Sequence, residues 1–311
     1  MEQVPNKQRA AGGLYVNLPA TSANLGPGFD TLALALDLHL EVQASEAAEF
    51  SIQATGRSPE ICGSLGRNLL LDVYRKTLAG KGLEAKPLAL EVNNGIPLGM
   101  GCGSSAAARL AGVAMASHFG GLNLSGEDIL AEATRLEGHP DNAAACWLGG
   151  FVAASWDGET LHAVSFAPPA DWRALIVLPE KPLATVASRA VLPESYSRAD
   201  IVANLQRVAV LTGAFASGRG SLIADAMKDR LHQPYRSEVC PLLPRLLSLA
   251  GSDGILGVSL SGAGPAVLVL VESEERVEFS KIRIMSELVE SEPVEILACR
   301  LELKGGRNQD Y

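Results

Sequence analysis

The stretch Pro97-Leu98-Gly99-Met100-Gly101-Cys102-Gly103-Ser104-Ser105-Ala106-Ala107-Ala108 is the part of this 311-residue chain around which the rest is organised. Three glycines alternate with single residues, two serines follow, and a run of small residues without helix breakers continues to about Phe119. Before it, residues 88–92 alternate apolar and polar side chains and end in Asn93-Asn94-Gly95. This order predicts a strand, a glycine-rich loop and a helix.

A glycine-rich loop at the start of a helix is typical of an anion site. Unpaired backbone N–H groups and the helix dipole favour negative charge, and glycines let the backbone approach it closely. A turn without a ligand explains the glycines equally well, but the two serines can also reach a phosphate oxygen or its magnesium. The loop lacks the lysine of a Walker A motif, and Ser104 replaces the third glycine of the dinucleotide motif. Phosphate is the expected ligand, in another family.

The composition excludes several classes of partner. The chain is 47% hydrophobic and 20% charged with a net charge of −9, which fits one or two globular domains and argues against nucleic-acid and membrane partners. Its five cysteines are scattered without a C-x-x-C pair, which argues against disulfides and zinc. Residues 1–13 lack the apolar core of a signal peptide, so a cytoplasmic location is expected.

Residues 19–30, Pro-Ala-Thr-Ser-Ala-Asn-Leu-Gly-Pro-Gly-Phe-Asp, form a turn-rich segment after a strand predicted over residues 14–18. A plain surface loop explains this composition. The flanking segments are apolar, however, which would bring Asn24 and Asp30 near the domain interior, where polar side chains need partners. A ligand can be one of those partners.

The residues Ser125-Gly126-Glu127-Asp128 predict a capping box at the start of a helix that runs through Leu136. Another polar cluster follows this helix, where residues 137–142 read Glu-Gly-His-Pro-Asp-Asn. A helix end followed by a turn explains the glycine and the proline. It does not explain why the histidine, the second acid and the amide lead directly into the apolar stretch 143–154, where unpaired polar side chains are costly.

A change of composition at residues 168–171 predicts two domains, residues 14–168 and 169–303. In the second half, the sequence pattern predicts a strand over 173–178, a short helical region over 184–191 and helices over 198–216, 221–231 and 242–249. It then predicts strands over 255–260 and 266–271, a helix over 276–289 and a strand over 294–301. This order is that of a ferredoxin-like split-βαβ sheet with extra helices after its first strand.

Three segments, residues 19–30, 97–107 and 261–266 (Ser-Gly-Ala-Gly-Pro-Ala), resemble in that order the three motifs of the GHMP kinases, which include galactokinase, homoserine kinase and mevalonate kinase. The first segment, with residues 137–142 and 229–236 (Asp-Arg-Leu-His-Gln-Pro-Tyr-Arg), resembles the homoserine kinases in particular. The resemblance implies an α+β, two-domain architecture with a mixed α/β ATP-binding domain and a ferredoxin-like substrate domain. It implies ATP-dependent phosphorylation of the L-homoserine hydroxyl, in threonine biosynthesis.

The resemblance also implies the site residues. Those implied for ATP are Asn68, which would meet the adenine or simply cap its helix, and Pro97, Leu98, Gly99, Met100, Gly101, Cys102, Gly103, Ser104 and Ser105. Magnesium would be held by Ser105, or Ser104, and Glu137. Those implied for the amino acid are Asn24, Asp30, His139, Asn142, Arg189, Arg236, Gly262, Ala263 and Gly264. Asn142, Glu137 and Arg189 are the implied catalytic residues.

The chemistry of homoserine agrees with these roles. Its carboxylate calls for a guanidinium fork, from Arg189 and Arg236, and its ammonium calls for Asp30. Phosphoryl transfer depends mainly on positioning and charge neutralisation, so a strong base is not obligatory. Asn142 is therefore expected to orient the hydroxyl for direct in-line attack.

The chain departs from the family pattern at Met100 and Cys102, where relatives usually carry Ser and Leu. One hydroxyl contact to phosphate is then missing, and Cys102 is expected to be a small packing residue. Two other functions fit the sequence: a kinase of another small alcohol, and a ligand-sensing relative without catalysis. The expected partners are L-homoserine, ATP and a second copy of the chain in a homodimer.

Overall fold

The computed structural model describes residues 12–288 and 293–308, which form ten strands and eleven α-helices. The strands are β1 Leu14–Ala23, β2 Leu32–Glu46, β3 Ser51–Gly56, β4 Leu88–Asn94, β5 Phe151–Trp156, β6 Leu161–Phe166, β7 Arg173–Pro179, β8 Ile255–Leu260, β9 Val267–Val271 and β10 Val294–Arg300. The helices are α1 Pro59–Cys62, α2 Leu69–Ala79, α3 Ser104–Phe119, α4 Gly126–Glu137, α5 Asp141–Leu148, α6 Thr185–Ala190, α7 Arg198–Ser217, α8 Ile223–Ala226, α9 Gln233–Arg236, α10 Leu242–Leu246 and α11 Val277–Glu287.

The first sheet has six strands. Its order is β3-β4-β2-β5-β6, with β1 paired to β2. The β3–β4 pair is parallel, and the other pairs are antiparallel. Strand β2 runs for 15 residues because β1 flanks most of its length, while β5 pairs with its start and β4 with its end. The carboxyl end of β4 leads into the glycine-rich loop that the sequence singled out.

Helix α3 lies at the centre of the first domain and is buried on nearly all sides. Its small residues allow close packing: a Cβ at Gly112 would lie 2.7 Å from the carbonyl oxygen of Leu70 in α2. The next helix, α4, begins with the predicted capping box, in which Ser125 Oγ accepts from the Asp128 N–H at 3.1 Å and the Asp128 carboxylate accepts from the Ser125 N–H at 3.0 Å. The capping box fixes the start of α4, and Glu137 is the last residue of this helix.

The second sheet has the order β10-β7-β9-β8, and all its pairs are antiparallel. Five helices separate β7 from β8, and α11 separates β9 from β10, which confirms the predicted split-βαβ order. Alternate side chains of β7 enter two cores. Ala174 and Ile176 join a core shared with the first sheet, whereas Leu175 and Val177 join a core with α10 and α11.

After β10 the chain returns to the first sheet. Leu301 forms a β-bridge with Leu36. The Glu302 N–H donates to the Ala35 carbonyl at 2.9 Å, and the Gly150 N–H donates to the Glu302 carbonyl at 2.7 Å. The end of the predicted second domain therefore packs on the first, and the predicted boundary at residues 168 and 169 stays a prediction.

The predicted turn-rich segment starts five residues too early. Strand β1 continues to Ala23, with a shift of register between Pro19 and Ala20. Proline has no N–H for a ladder hydrogen bond, and such a shift is where a strand tolerates it. The turn begins at Asn24, whose φ of 69° leaves the extended region.

The helix predicted over residues 221–231 is wrong for its second half. A 3-10 turn over Gly220–Leu222 and helix α8 end at Ala226. The buried Asp229 carboxylate accepts hydrogen bonds from the N–H groups of Leu231, His232 and Gln233, so it stabilises a loop in place of a helix. The last residue of the helix predicted over 276–289 lies outside the described residues. None of the described helices is long and apolar enough to cross a membrane.

Candidate active site

The three glycine-containing segments of the sequence meet around one cavity of about 330 Å³. Most of the predicted site residues line this cavity: Asn24, Asp30, Asn68, Leu98, Gly99, Gly101, Cys102, Gly103, Ser104, Ser105, Glu137, His139, Asn142, Arg189, Arg236, Gly262 and Ala263. Three predicted residues, Pro97, Met100 and Gly264, do not line it. The Met100 side chain packs against the core instead. A hydroxyl at this position, as relatives carry it, would therefore not face the cavity.

The glycine-rich loop turns its carbonyl groups into the protein. The carbonyl oxygens of residues 99 to 102 accept hydrogen bonds from the Leu183 N–H, the Ala266 N–H, the Ser261 hydroxyl and the Thr21 N–H. In the described part of the chain, no backbone N–H of residues 99–105 has a protein acceptor. Gly99, Gly101 and Gly103 have φ values of 68°, 80° and 73°, a left-handed conformation that suits glycine. The loop therefore offers donors to an anion at the start of α3.

Cys102 in this loop is a packing residue, as the sequence predicted. Its side chain is 1% exposed, and burial raises the pKa of its thiol to about 12. A thiol with so high a pKa is not a nucleophile near neutral pH.

Ser105 and Glu137 form the oxygen-rich corner of the cavity. Ser105 Oγ donates to Glu137 Oε2 at 3.2 Å, and both residues lie beside the loop. Hydroxyl and carboxylate oxygens are ligands that Mg²⁺ prefers, so these residues fit a magnesium ion that accompanies phosphates. Arg109, one helical turn after Ser105, contacts both groups and forms an ion pair with Glu137.

Asn68 caps helix α2 on the wall of the cavity. Its Oδ1 accepts from the N–H groups of Leu70 and Leu71 at 3.1 and 3.3 Å, and its Nδ2 donates to the Cys62 carbonyl at 2.7 Å. The apolar side chains of Ile61 and Leu69 lie nearby on the wall, 55% and 39% exposed. The capping role is thus met, while an adenine contact stays a prediction.

The Asn142 side chain is held between two partners at the start of α5. Thr21 Oγ1 donates to Asn142 Oδ1 at 2.7 Å, and Asn142 Nδ2 donates to Asp141 Oδ1 at 3.2 Å. Because a carboxylate only accepts, Asp141 fixes which end of the amide faces it. One amide hydrogen and one lone pair of Asn142 remain for a ligand.

His139 lies beside this pair. Its Nδ1 contacts Asp141 Oδ1 at 2.7 Å, and its Nε2 lies 3.9 Å from Glu137 Oε1. Burial disfavours the charge of the imidazole, but the hydrogen bond to Asp141 and the charges of Asp141, Asp30 and Glu137 outweigh burial and raise the pKa of His139. His139 therefore gains a proton more readily than a free histidine does, in a corner that otherwise holds three carboxylates.

Asp30 and Arg189 face each other beside this group. A carboxylate oxygen of Asp30 lies within 4.8 Å of a ring nitrogen of His139 and a carboxylate oxygen of Asp141. Arg189 Nη2 donates to Asp30 Oδ1 at 2.7 Å and Nη1 donates to Oδ2 at 3.1 Å, a bidentate pair. The guanidinium carbon of Arg189 also lies 5.5 Å from the centre of the Phe29 ring. From the sequence, these two side chains are expected to bind opposite charges of the substrate. In the structure they form an ion pair with each other.

Arg236 is a deeply buried charge of the site, with 1% of its surface exposed. It donates to the carbonyl oxygens of Ser188 and Gly262 and to His232 Nδ1. No carboxylate among residues 12–288 and 293–308 forms an ion pair with it. Burial and the neighbouring Arg189 lower the pKa of Arg236, since both disfavour its charge. The charges of Asp30 and Asp229 favour the Arg236 cation from a distance, but no carboxylate of the described residues contacts it. Such a cation beside a cavity is suited to an anionic ligand.

The third loop, residues 261–265, contacts both Asn24 and helix α6. Asn24 Nδ2 donates to the Gly262 carbonyl at 2.8 Å, and Asn24 Oδ1 accepts from the Asp30 N–H at 3.0 Å. The hydroxyl of Ser188 donates to the Ala263 carbonyl at 2.5 Å. Asn24, 3% exposed, therefore acts first as a brace between two loops.

Sequence reasoning left several residues of this site without a role: Thr21, Arg109, Asp141, Ser188 and His232. Asp141 and His232 stand inside motifs that the sequence singled out, so their position was a usable signal. Arg109 follows Ser105 by four residues on a predicted helix, which places both on one face. Thr21 stands inside the segment 19–30 as well, but its partner Asn142 is distant in sequence. Ser188 lies outside the motifs and gave no signal, because its partner is also distant in sequence.

Known proteins resemble this chain over most of its length. Residues 68–150 match the family described as GHMP kinases N terminal domain, and residues 211–280 match GHMP kinases C terminal. A homoserine kinase of Solibacter usitatus is 44% identical over 83% of this chain and 85% of its own, and one of Moorella thermoacetica is 38% identical over 84% and 88%.

The fold has the same relatives. The crystal structure of homoserine kinase from Cytophaga hutchinsonii superposes with a TM-score of 0.80 and 27% identity, covering 98% of this chain and 99% of that one. These matches confirm the predicted family and its two-domain α+β fold. The chain belongs to the homoserine kinase family of the GHMP kinases.

Proposed function

We propose that this protein transfers the γ-phosphoryl group of ATP to the side-chain hydroxyl of L-homoserine and forms O-phospho-L-homoserine. The observation that carries the proposal is Arg236, a buried guanidinium that forms no ion pair with a carboxylate of the described residues. It lies in the same cavity as a loop whose N–H groups have no acceptor in that part of the chain. The first group suits an amino-acid carboxylate and the second suits the phosphates of ATP. The similarity to homoserine kinases supports the same reading.

The substrate would bind between the Asp30–Arg189 pair and Arg236. Its carboxylate would neutralise Arg236 and accept hydrogen bonds from either guanidinium, and its ammonium would face Asp30. Both ends of the zwitterion would then be paired in a partly buried site, which rejects alcohols that lack either charge. A neutral sugar would leave Arg236 without an anion.

The reaction requires little proton chemistry from the protein. The hydroxyl oxygen forms a bond to the γ-phosphorus while the bond to the bridging oxygen of ADP breaks, and the hydroxyl proton leaves as the new bond forms. Asn142, held by Thr21 and Asp141, would orient the hydroxyl through its remaining lone pair. The loop N–H groups would hold the phosphates in line.

Ser105 and Glu137 would hold magnesium, since they supply the oxygen donors beside the loop. When bound, the ion supplies positive charge that neutralises the phosphate oxygens during transfer. The binding of ATP by kinases of this family supports this placement.

The test measures ADP release with ATP, Mg²⁺ and each of five alcohols: homoserine, serine, mevalonate, galactose and 3-aminopropan-1-ol. We expect turnover with homoserine and at least about a tenfold lower kcat/KM with 3-aminopropan-1-ol, which lacks the carboxylate. Turnover of mevalonate or galactose in preference to homoserine would identify a kinase of another alcohol. Homoserine binding without ADP release would identify a sensor.

The homodimer and the cytoplasmic location belong to this proposal as well. Light scattering at several protein concentrations measures the mass in solution, and a mass near 32.6 kDa would exclude a homodimer. Fractionation of the native source tests the location.

A further inference from the structure

Arg109 occupies the place where the proposed magnesium ligands meet. It lies on the second turn of α3, and its guanidinium contacts both Ser105 Oγ and Glu137 Oε2. The side chains of Arg109 and Glu137 are 20% and 12% exposed, so this ion pair is largely shielded from water. Ser105 Oγ also donates to the same Glu137 oxygen at 3.2 Å.

A divalent cation and this guanidinium compete for the same oxygens. Magnesium binds oxygen ligands at about 2.0 to 2.1 Å and needs their lone pairs, which Arg109 engages in the described arrangement. Two cations at adjoining positions also repel each other strongly where water is scarce. The other carboxylate oxygen, Glu137 Oε1, lies 3.9 Å from His139 Nε2. A metal ion at that oxygen would still lie next to the Arg109 guanidinium, so the repulsion between the two cations remains.

We infer that Arg109 is a positioning residue that takes the place of the metal in the nucleotide-free enzyme, and that the metal and the Arg109–Glu137 ion pair exclude each other. The pair keeps the Glu137 carboxylate and the Ser105 hydroxyl in place without exposing an unpaired acid. Metal binding then has to break it, which lowers the apparent affinity for the free ion. The inference rests on the proposed function, because that function defines Ser105 and Glu137 as the metal ligands.

The test uses Mn²⁺ as the probe and nucleotide-free protein, with water-proton relaxation as the measure of bound ion. We expect Arg109→Gln to bind Mn²⁺ about tenfold more tightly than the unchanged protein, and Glu137→Gln to bind it much more weakly. Arg135→Gln is the matched control, since Arg135 pairs with Glu132 on the exposed face of α4 and is 59% exposed. It should bind Mn²⁺ like the unchanged protein.

The double variant separates exchange from simple charge repulsion. Exchange requires Glu137, so Arg109→Gln should add nothing in a Glu137→Gln background. A tenfold gain that persists there would overturn the inference, as would an Arg109→Gln protein that binds Mn²⁺ no more tightly. If Arg109→Gln fails to fold, Arg109→Lys replaces it, and its weaker single-point contact should give a gain of about threefold. Unchanged Mn²⁺ affinity in the Lys variant would count against exchange.

Homoserine turnover is measured on the same unchanged protein. The Mn²⁺ pattern without turnover would refute the proposed function and support the exchange. Turnover without the pattern would refute the exchange and leave the proposed function intact.

Discussion

Arg189 and Asp30 form a bidentate ion pair on the wall of the cavity, with N–O distances of 2.7 and 3.1 Å, although 159 residues separate them in the sequence. The pair keeps two opposite charges in place for a zwitterion. Substrate binding would therefore rearrange an existing ion pair, so each partner affects the other in any single substitution.

The first prediction concerns this pair. Asp30→Asn should raise KM for homoserine by tenfold or more, because the ammonium loses its carboxylate and a charge-assisted contact is worth about 1.5 to 3 kcal/mol. KM for ATP should stay within about twofold. Steady-state kinetics with each substrate varied in turn measures both values, and an unchanged homoserine KM would remove Asp30 from the substrate site.

Arg236 permits a prediction that depends on the substrate. Arg236→Met should lower kcat/KM for homoserine by tenfold or more and should change it little for 3-aminopropan-1-ol, which has no carboxylate. Arg236→Lys keeps the charge and serves as the control for the shape of the fork. Equal losses with both alcohols would show that Arg236 acts on the fold of the site and not on a carboxylate.

Thr21 provides a test of how Asn142 is oriented. Thr21→Val removes the hydroxyl that donates to Asn142 Oδ1, so kcat should fall by about tenfold while KM for homoserine changes little. Thr21→Ser keeps the hydroxyl and should recover most of the rate. If the valine variant keeps its kcat, the amide does not depend on this contact.

The close approach of two loops leads to a prediction about glycine. A Cβ at Gly101 would lie 2.1 Å from the Ser261 carbonyl oxygen, and its φ of 80° is unfavourable for other residues. Gly101→Ala should therefore displace the loop and raise KM for ATP by tenfold or more. Gly213→Ala on α7 is the matched control, because nothing lies within 4 Å of its added methyl. A Gly101→Ala enzyme with normal ATP kinetics would argue against the loop as the phosphate site.

The partly buried His139 and the buried His232 should affect stability in opposite directions as the pH changes. Burial lowers the pKa of His232, opposed in part by Asp229, so the unfolded chain binds protons below about pH 6.5 that the folded chain does not. Stability from a neutral His232 is thus lost as the pH falls. The pKa of His139 is raised, so its contribution is full below about pH 6.5 and is lost as the pH rises through its folded-state pKa.

Urea unfolding between pH 5 and pH 8 measures these contributions. Compared with the unchanged protein, His232→Gln should lose less free energy of unfolding on acidification, and His139→Gln should lose less as the pH rises. His162→Gln on β6 is a reference substitution. Curves for His232→Gln and His139→Gln that run parallel to that of the reference variant would contradict both assignments.

The sequence predicted the elements whose signals are local. The capping box of α4, the glycine-rich loop before α3 and the order of strands and helices along the second half all depend on neighbouring residues and were found. The loop after α8 was missed because the acceptor of its N–H groups is the Asp229 side chain, which a pattern of apolar residues does not reveal. Strand β1 was cut short because small residues with a proline look like a turn.

The site divides in the same way. Residues such as Asp30, Arg189 and Arg236 could be named from the sequence, whereas the contacts between them could not. The Asp30–Arg189 pair, the Thr21–Asn142 contact and the Arg109–Glu137 pair join segments that only tertiary structure brings together. Sequence motifs thus predicted which side chains the cavity contains, and geometry determined which of them are already engaged.

The return of residues 301–306 to the first sheet also determines how the protein unfolds. Leu301 forms a bridge with Leu36, and one apolar core takes side chains from both sheets. Unfolding of the second sheet would therefore expose core side chains of the first. The two halves should lose their structure in a single cooperative event, and a calorimetric trace should contain one peak. The architecture has two domains, but thermodynamically it should behave as one.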